Sequence, residues 1–428
     1  MIRTSVSTRL FTVLLLFLLQ AASSLSAADH GTGGINSADA KTAPYVVLFS
    51  IDGFRWNFSE LADTPAMDHM AAEGMTAEYL QPVFPTLTFP NHYSIATGAL
   101  PARHGLVGNA FPDEQRERWY DYKDRFAVQD GSWYRLEPLW VTAEKQGLVT
   151  AAYYFVGTEA DISGIHPTHW RAFDPAASDG DRIEQVLAWL AEPVETRPHL
   201  ITVYSEDVDE NAHWYGPDSP ENAAAIHRID ERLGQLRAGI AALPHADRVY
   251  LIVVSDHGQA TYDRSQEVFV LDRVVDLDGI RALDGGTYVS LYFESEELAR
   301  IATVQEQINR HWKHGRALTP AQAPAAWGVS DSARFPDLIV QANPGCAVLS
   351  RADMAHKITR GDHGWAPEMP EMRGIFLAAG PRIPQGRKLP PARVTDVYPL
   401  VISILGLEAP HSLDGDPARL ASALLPVR

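Results

Sequence analysis

Short, almost uninterrupted apolar runs recur along the chain. The clearest are YVVLFSIDG at 45–53, VTAAYYFVG at 149–157, HLITVYSED at 199–207 and RVYLIVVSDHG at 248–258, with weaker runs at 337–342 and 374–380. Because these runs are continuous rather than alternating, they predict strands that are covered on both faces.

Stretches with helical spacing lie between the apolar runs, at 64–74, 182–192, 223–243 and 395–407. In the second stretch, Ile183, Val186, Leu187 and Leu190 fall on one apolar stripe. Alternation of strands and helices predicts an α/β fold with a mostly parallel central sheet and helices on both faces. Weaker patterns at 110–148, 158–181 and 260–335 predict insertions that cover the active-site edge of this sheet.

The amino terminus has a different pattern from the rest of the chain. Arg3 and Arg9 flank the start of an apolar segment of about ten residues, and small residues follow up to Ala28. This pattern predicts a secretory signal peptide over 1–28, with an uncleaved anchor as the alternative. Residues 29–43 are polar and predict a flexible leader. We expect residues 44–428 to form a single catalytic domain, because the candidate site residues span most of this range.

Net charge and cysteine content limit the classes of binding partner and the ways in which the fold can be stabilised. The net charge of −18 argues against binding to a nucleic-acid duplex, which requires a positive surface. Cys346 is the only cysteine, so a large core rather than a disulfide has to stabilise an exported chain. We therefore expect a periplasmic or secreted monomer with no transmembrane segment after the signal peptide is cleaved.

Aspartate and histidine residues that are far apart in the sequence carry the main chemical signal. They are Asp52 in SIDG, Asp209 and His213 in DENAH, Asp256 and His257 in SDHG, and His363 in GDHG. Most follow an apolar run, and the carboxyl ends of strands are where an α/β sheet collects its ligands. Three carboxylates and three imidazoles provide ligands for two zinc ions, although each motif alone is also typical of a turn or a surface.

Residues that could act on a substrate lie near these motifs. Thr88 in PTLTFPNHY is a candidate nucleophile before a Phe-Pro turn, and its alternative role is a helix cap. Asn109 could donate an N–H to a phosphoryl oxygen or be a loop residue. The aromatic side chains of Phe89, Phe173 and Tyr204 could stack on a base or belong to the core.

Taken together, the motifs resemble the nucleotide pyrophosphatase/phosphodiesterase family of the alkaline phosphatase superfamily. The resemblance runs from about residue 44 to 410 and rests on SIDGFRW, FPTLTFPNHYSIATG, HGLVGN, EPLW, YSEDVDENAHWYGP, VVSDHG, GDHGW and VTDVYPLVISILGL. It implies an alkaline-phosphatase-like fold and a two-zinc enzyme that cleaves nucleotide phosphodiester or pyrophosphate bonds. The expected product is a nucleoside 5′-monophosphate.

The resemblance also implies roles for individual residues. One zinc ion would be held by Asp209, His213 and His363, and the other by Asp52, Asp256, His257 and the Thr88 oxygen. Thr88 would form a phospho-threonine intermediate that water hydrolyses, and Asn109 would stabilise a non-bridging oxygen. Phe89, Phe173 and Tyr204 would lie against the nucleoside.

Some features depart from the family pattern or leave alternatives open. Val208 and Ala212 stand where the family usually has Pro and Gly, and the cysteine-rich and nuclease-like domains of the animal members are absent. A catalytic-domain-only bacterial enzyme is therefore expected. The alternatives are a phospholipid or choline phosphodiesterase, an alkaline-type phosphomonoesterase, and a non-enzymatic zinc-binding protein. Zinc is favoured over magnesium by the imidazoles, while iron and manganese remain alternatives.

Overall fold

A computed structural model describes residues 34–426 of the protein. The predicted signal peptide and residues 29–33 of the leader lie outside the described residues. Ten α-helices are found in the described range: α1 Pro65–Glu73, α2 Thr88–Thr97, α3 Pro101–His104, α4 Arg125–Gln129, α5 Leu139–Lys145, α6 Asp179–Leu190, α7 Asp207–Tyr215, α8 Pro220–Ala241, α9 Ile301–His311 and α10 Val397–Leu405.

Twelve strands of the described range build two sheets. In chain order they are β1 Tyr45–Ile51, β2 Met75–Ala77, β3 Thr150–Tyr153, β4 His169–Arg171, β5 Leu200–Ser205, β6 Val249–Val254, β7 Ile280–Asp284, β8 Tyr288–Phe293, β9 Gly315–Leu318, β10 Leu338–Ala342, β11 Phe376–Ala379 and β12 Arg387–Leu389. Shorter strands pair Leu80–Gln81 with Ala392–Arg393, Ala110–Pro112 with Trp119–Asp121, Ala260–Thr261 with Gly361–Asp362, and Phe269–Val270 with Val348–Leu349.

The central sheet has eight strands in the order β12-β2-β11-β6-β1-β5-β3-β4. It is parallel except for β11, which runs antiparallel to both of its neighbours. Successive residues of β1 face opposite sides, as in any strand. Val47 and Phe49 pack in the layer formed by α1, α6 and α8, whereas Val46 and Leu48 face the layer containing α2, α5 and α10. The predicted α/β fold with helices on both faces is therefore confirmed.

The second sheet corrects one expectation from the sequence. The run at 337–342 does not join the central sheet; its strand, β10, belongs to an antiparallel sheet in the order β7-β8-β10-β9. This sheet packs with α9 around a separate apolar cluster. An apolar run indicates that a strand is buried, but it carries no information about which strands pair with it.

Two of the predicted insertions also contain parts of the central layers. Within 110–148, α5 packs in the core with α10, and Trp140 is 1% exposed. Within 158–181, β4 forms an edge of the central sheet beside β3. Both elements are too short, at seven and three residues, for a hydrophobic period to indicate them.

Part of the predicted leader is attached to the domain. Asn36 is 3% exposed. Its amide donates to the carbonyls of Val194 and Arg197 and accepts from the N–H of Val149. Residue 36 of the leader is thus attached to the domain by a buried amide whose hydrogen bonds are satisfied. Among the described residues, none of the helices is long and apolar enough to cross a membrane.

Replacement of Phe49 tests the packing of the central sheet. Phe49 is 1% exposed in the middle of β1. We expect Phe49→Ala to lower the free energy of unfolding by about 3–5 kcal/mol, because it leaves a cavity in the core. Phe126→Ala is the control, since Phe126 is 87% exposed. Equal midpoints for the two variants in chemical denaturation would contradict this placement of Phe49.

Candidate active site

Three adjacent strands deliver most of the candidate metal ligands to one edge of the central sheet. Strands β5, β1 and β6 are neighbours and run parallel, so their carboxyl ends meet. Asp52 directly follows β1, and Asp256 and His257 follow β6. Helix α7 begins two residues after β5 and carries Asp209 and His213 one turn apart. The sequence prediction that these motifs converge agrees with the structure.

His363 reaches the same place by a different route. It follows the short strand Gly361–Asp362, which pairs with Ala260–Thr261 just after SDHG. Its ring stacks on that of His257, with centroids 3.8 Å apart. The second sheet and its helix lie between these segments in the sequence, yet the pairing returns the chain to the ligand edge.

One group of ligand atoms is formed by Asp52, Asp256 and His257. Their ligand atoms lie within 4.8 Å of one another. His257 Nε2 is 3.1 Å from Asp256 Oδ2 and 3.5 Å from Asp52 Oδ1. All three atoms are buried without a hydrogen-bond partner. Buried polar atoms of this kind are costly unless a ligand satisfies them, so the group fits a metal ion.

A second group is formed by Asp209, His213 and His363, again within 4.8 Å. Asp209 Oδ2 is 3.4 Å from His213 Nε2, and Asp209 Oδ1 is 3.9 Å from His363 Nε2. Two imidazoles and a carboxylate are a common ligand set of catalytic zinc sites. The structure thus separates the predicted ligands into the same two sets that the family resemblance implies.

Backbone carbonyls hold the three imidazoles in the orientation that metal binding requires. In each ring, Nδ1 donates to a backbone carbonyl. His213 donates to Gly361 (2.9 Å), His363 to Thr86 (2.7 Å) and His257 to Gly258 (3.1 Å). With the proton fixed on Nδ1, each Nε2 has a free lone pair directed at its carboxylate partners.

Burial controls the protonation of these groups. It raises the pKa of Asp52 well above its ordinary value, and the neighbouring Asp256 carboxylate raises it further. Burial and Asp209 likewise raise the pKa of Asp256. The pKa of His257 is lowered by burial and by His363. For His213, burial alone would lower the pKa, but Asp209 and Asp362 outweigh it and raise the pKa. A bound cation would reverse the cost of ionising the two buried carboxylates.

Several supporting residues were not indicated by the sequence. Gln259 donates from Nε2 to the backbone oxygen (3.0 Å) and to Oδ1 of Asp209. His92 lies between Ser50 Oγ (2.8 Å) and Asp256 Oδ2 (3.2 Å). Their only sequence signal is position: Gln259 directly follows SDHG, and His92 is one turn after Thr88.

Gly53 allows the SIDG segment to turn sharply after β1 and to lie against Asp209. Its φ is +65°, a conformation that favours glycine. A Cβ at this position would lie 2.7 Å from Asp209 Oδ1. Glycine therefore allows α7 to bring Asp209 against the end of β1.

Thr88 is the first residue of α2, and its side chain lines the same cavity as Asp52, Asp209, His213 and His363. The expected Phe-Pro turn after it is instead the first turn of this helix. Proline is tolerated there because its missing N–H would have no helical partner. Leu87, and not Thr88, occupies the cap position.

Asn109 lies close to the amino end of α2. Its Oδ1 accepts from the N–H of Phe89 at 3.1 Å. This bond fixes the amide oxygen, so that the N–H₂ group on the other side of the amide is the end presented to a substrate. Asn109 lines the cavity together with Thr88.

The predicted aromatic residues lie along one cavity of about 550 Å³. Phe89, Phe173 and Tyr204 all line it, and Phe173 is 38% exposed. Tyr204 has a second contact that the sequence does not indicate, since its hydroxyl donates to Asp52 Oδ2 at 2.6 Å. Phe89 packs beside Tyr122, with ring centroids 5.5 Å apart.

The structure thus combines a three-layer α/β fold, two carboxylate–imidazole groups and a hydroxyl at the start of a helix. This combination is typical of metal-dependent hydrolases. The chain belongs to the type I phosphodiesterase / nucleotide pyrophosphatase family, whose model matches residues 46–366. It is thus a phosphoric diester hydrolase of the nucleotide pyrophosphatase/phosphodiesterase class, within the alkaline phosphatase superfamily.

Comparisons with individual proteins agree with this assignment. The chain is 29% identical over 408 residues to ectonucleotide pyrophosphatase/phosphodiesterase family member 7 of Homo sapiens, covering 89% of this chain and 83% of that one. It is 29% identical over 398 residues to the bis(5′-adenosyl)-triphosphatase of Bos taurus, with coverages of 90% and 83%. The solved structure of human ectonucleotide pyrophosphatase/phosphodiesterase 5 superposes with a TM-score of 0.82 at 26% identity, covering 89% of this chain and 99% of that chain.

Zinc should stabilise the protein, and more strongly as the pH rises. The raised pKa values of Asp52 and Asp256 mean that the metal-free fold retains protons that zinc has to displace. For such carboxylates, stability of the metal-free protein is lost as pH rises through the folded pKa. We expect the zinc-induced increase in Tm to grow between pH 5 and pH 8, as measured by differential scanning fluorimetry.

Asp256→Asn is the matched control for this experiment. It removes one buried charge at nearly constant volume, so the metal-free variant should be at least as stable as the natural protein. Its zinc response should be much smaller at every pH. A zinc response that is independent of pH, or unchanged in Asp256→Asn, would contradict metal binding by this group.

Proposed function

We propose that the enzyme hydrolyses phosphodiester or pyrophosphate bonds of nucleotides and releases a nucleoside 5′-monophosphate through a phospho-threonine intermediate on Thr88. The observation that carries the proposal is the position of Thr88. Its side chain lines one cavity together with ligands from both carboxylate–imidazole groups, at the start of a helix. A residue with only a structural role would not need to face both groups.

Two zinc ions fit the two ligand groups. Asp209, His213 and His363 would hold one, and Asp52, Asp256 and His257 the other. The charge balance supports two divalent ions, because three carboxylates and one threonine alkoxide supply four negative charges. When bound, the ions would stabilise the threonine alkoxide and the charge that develops on the phosphoryl oxygens.

The chemistry of the protein residues proceeds in two displacements. Thr88 Oγ loses its proton and forms a bond to phosphorus, while the bond from phosphorus to the leaving oxygen breaks and that oxygen is protonated. Water then displaces Thr88, which regains its hydroxyl, and the monophosphate product leaves. The free N–H₂ of Asn109 donates to a non-bridging oxygen in both steps.

The cavity beside Thr88 supports a nucleoside as the retained part of the substrate. Phe89, Phe173 and Tyr204 line it and offer aromatic surface for a base. The bovine relative is named a bis(5′-adenosyl)-triphosphatase, which also supports a nucleotide substrate.

The location of the mature enzyme is part of the same proposal. The pattern of residues 1–28 is typical of a secretory signal peptide, and it supports a periplasmic or secreted enzyme. We also propose that 44–428 acts as one catalytic domain and as a monomer.

Substrate discrimination tests the reaction class. With zinc supplied, we expect kcat/KM for the 4-nitrophenyl ester of thymidine 5′-monophosphate to exceed that for 4-nitrophenyl phosphate by at least about 100-fold, since the site has aromatic surface for the nucleoside and the reaction is of diester type. Initial rates by absorbance provide the measurement. A preference for the monoester would favour an alkaline-type phosphatase, and cleavage of a lysophospholipid alone would favour the lipid enzyme.

Replacement of Thr88 tests the nucleophile. Thr88→Ala should lower kcat by about 10⁴-fold or more, because no side-chain oxygen remains to attack phosphorus. It should retain zinc binding and Tm. Thr88→Ser keeps a hydroxyl and should recover measurable turnover, whereas Thr303→Ala, on the exposed surface of α9, should have no effect. Undiminished kcat in Thr88→Ala would reject the assigned role.

A further inference from the structure

Thr86 connects the segment of the candidate nucleophile to one of the candidate metal ligands. It lies two residues before Thr88 and is fully buried. Its Oγ1 donates to the carbonyl of Trp365 at 2.7 Å and accepts from the N–H of Gly364 at 2.9 Å. Its own carbonyl accepts from Nδ1 of His363 at 2.7 Å. Three hydrogen bonds thus join one residue to three consecutive residues, of which the first is a candidate ligand.

The chain on both sides of Thr86 is bonded to helix α2, which begins at Thr88. Asn91 in this helix donates from Nδ2 to the carbonyl of Pro85 at 3.0 Å and to that of Leu87 at 2.9 Å. Asn91 is fully buried, so water does not compete for these bonds. The position of Thr86 relative to Thr88 is therefore fixed by the helix that carries the nucleophile.

A second threonine holds the main chain of His363 from the side of the second sheet. Thr287 is fully buried, and its Oγ1 donates to the carbonyl of His363 at 2.8 Å. Gly364 has a φ of +94°, and a Cβ there would lie 2.5 Å from Thr287 Oγ1. Of these two threonines, Thr86 is the one that belongs to the segment of the nucleophile.

The hydroxyl of Thr86 has two roles that a hydrocarbon side chain of the same shape cannot fill. It is the donor to the Trp365 carbonyl and the acceptor for the Gly364 N–H, and a hydroxyl can do both at once. Loss of the hydroxyl removes both bonds in a buried place, where unsatisfied polar groups are costly. The main chain beside His363 would then have to shift away from the nucleophile segment.

We propose that Thr86 is a positioning residue that holds His363, and with it the group formed by Asp209, His213 and His363, in a fixed place relative to Thr88. This inference rests on the proposed function, in which Thr88 attacks phosphorus. Among the described residues, Thr86 lines neither the cavity beside Thr88 nor an adjoining cavity of about 490 Å³. It therefore acts through His363 and does not touch the substrate.

Thr86→Val tests this role, because it keeps the shape of the side chain and removes the hydroxyl. We expect it to weaken the binding of one of two zinc ions by about 10–100-fold and to leave the other unchanged, as measured by competition with a chromogenic chelator. At saturating zinc, kcat for the 4-nitrophenyl ester of thymidine 5′-monophosphate should fall by about 10–100-fold while KM changes by less than about threefold, because Thr88 is displaced from the metal group.

Two matched variants separate positioning from a general effect on the core. Thr86→Ser retains the hydroxyl and should recover both zinc affinity and kcat. Thr142→Val removes a buried hydroxyl in α5 that lies 2.9 Å from the hydroxyl of Tyr398, and it should change neither value. If Thr86→Val does not fold, as judged by its Tm, Thr86→Ala breaks the same two bonds and takes its place.

Natural zinc affinities and kcat in the folded Thr86 variant would overturn the proposal. It would also be overturned if Thr86→Ser behaved like Thr86→Val, or if Thr142→Val lost zinc affinity to the same extent. A natural enzyme that binds zinc but cleaves no nucleotide ester would instead reject the proposed function, and the zinc affinities would then decide the role of Thr86 by themselves.

Discussion

Two fully buried carboxylates, Asp52 and Asp256, impose the central constraint on this protein. Burial raises the pKa of each; the Asp256 carboxylate raises that of Asp52 further, and the Asp209 carboxylate raises that of Asp256. Ionised carboxylates in such a position require positive charge nearby, and the adjacent imidazoles have Nε2 atoms oriented to share a cation rather than to supply charge themselves. The surrounding fold holds these groups in place, so that the arrangement of the polypeptide already fits a cation.

The central sheet makes this arrangement rigid. Asp52 and Asp256 follow neighbouring parallel strands with residues paired along their length, so neither carboxylate can move without disturbing the core. Asp209 is fixed from several directions, by the helix that follows the next strand, by the donor Gln259, and by the close approach that Gly53 allows. The metal groups are thus supported by the most deeply packed part of the molecule, whereas the substrate cavities are bordered by loops and by the second sheet.

Two adjoining cavities border the ligand groups, and they share Asn109, His213 and His363 in their linings. The one beside Thr88 contains the aromatic residues proposed to hold the retained nucleoside. The other is lined in part by the second sheet, with Tyr288 and Ser290, and in part by residues before α2 and after α3, such as Leu87 and Val107. The second sheet also packs on the central layers, because Leu318 and Ile339 lie in the same apolar cluster as Val46 and Leu48 of β1.

The sequence by itself determined the α/β class, the four main strands and the candidate ligands at their ends, because continuous apolar runs followed by Asp and His are local features. The separation of the ligands into two groups was available from the family resemblance and not from spacing. Only the tertiary structure showed that Tyr204 bonds to Asp52, that Gln259 holds Asp209, and that β10 belongs to the second sheet. These facts depend on contacts between residues far apart in the chain, and the apolar pattern along one segment cannot specify which partner it meets.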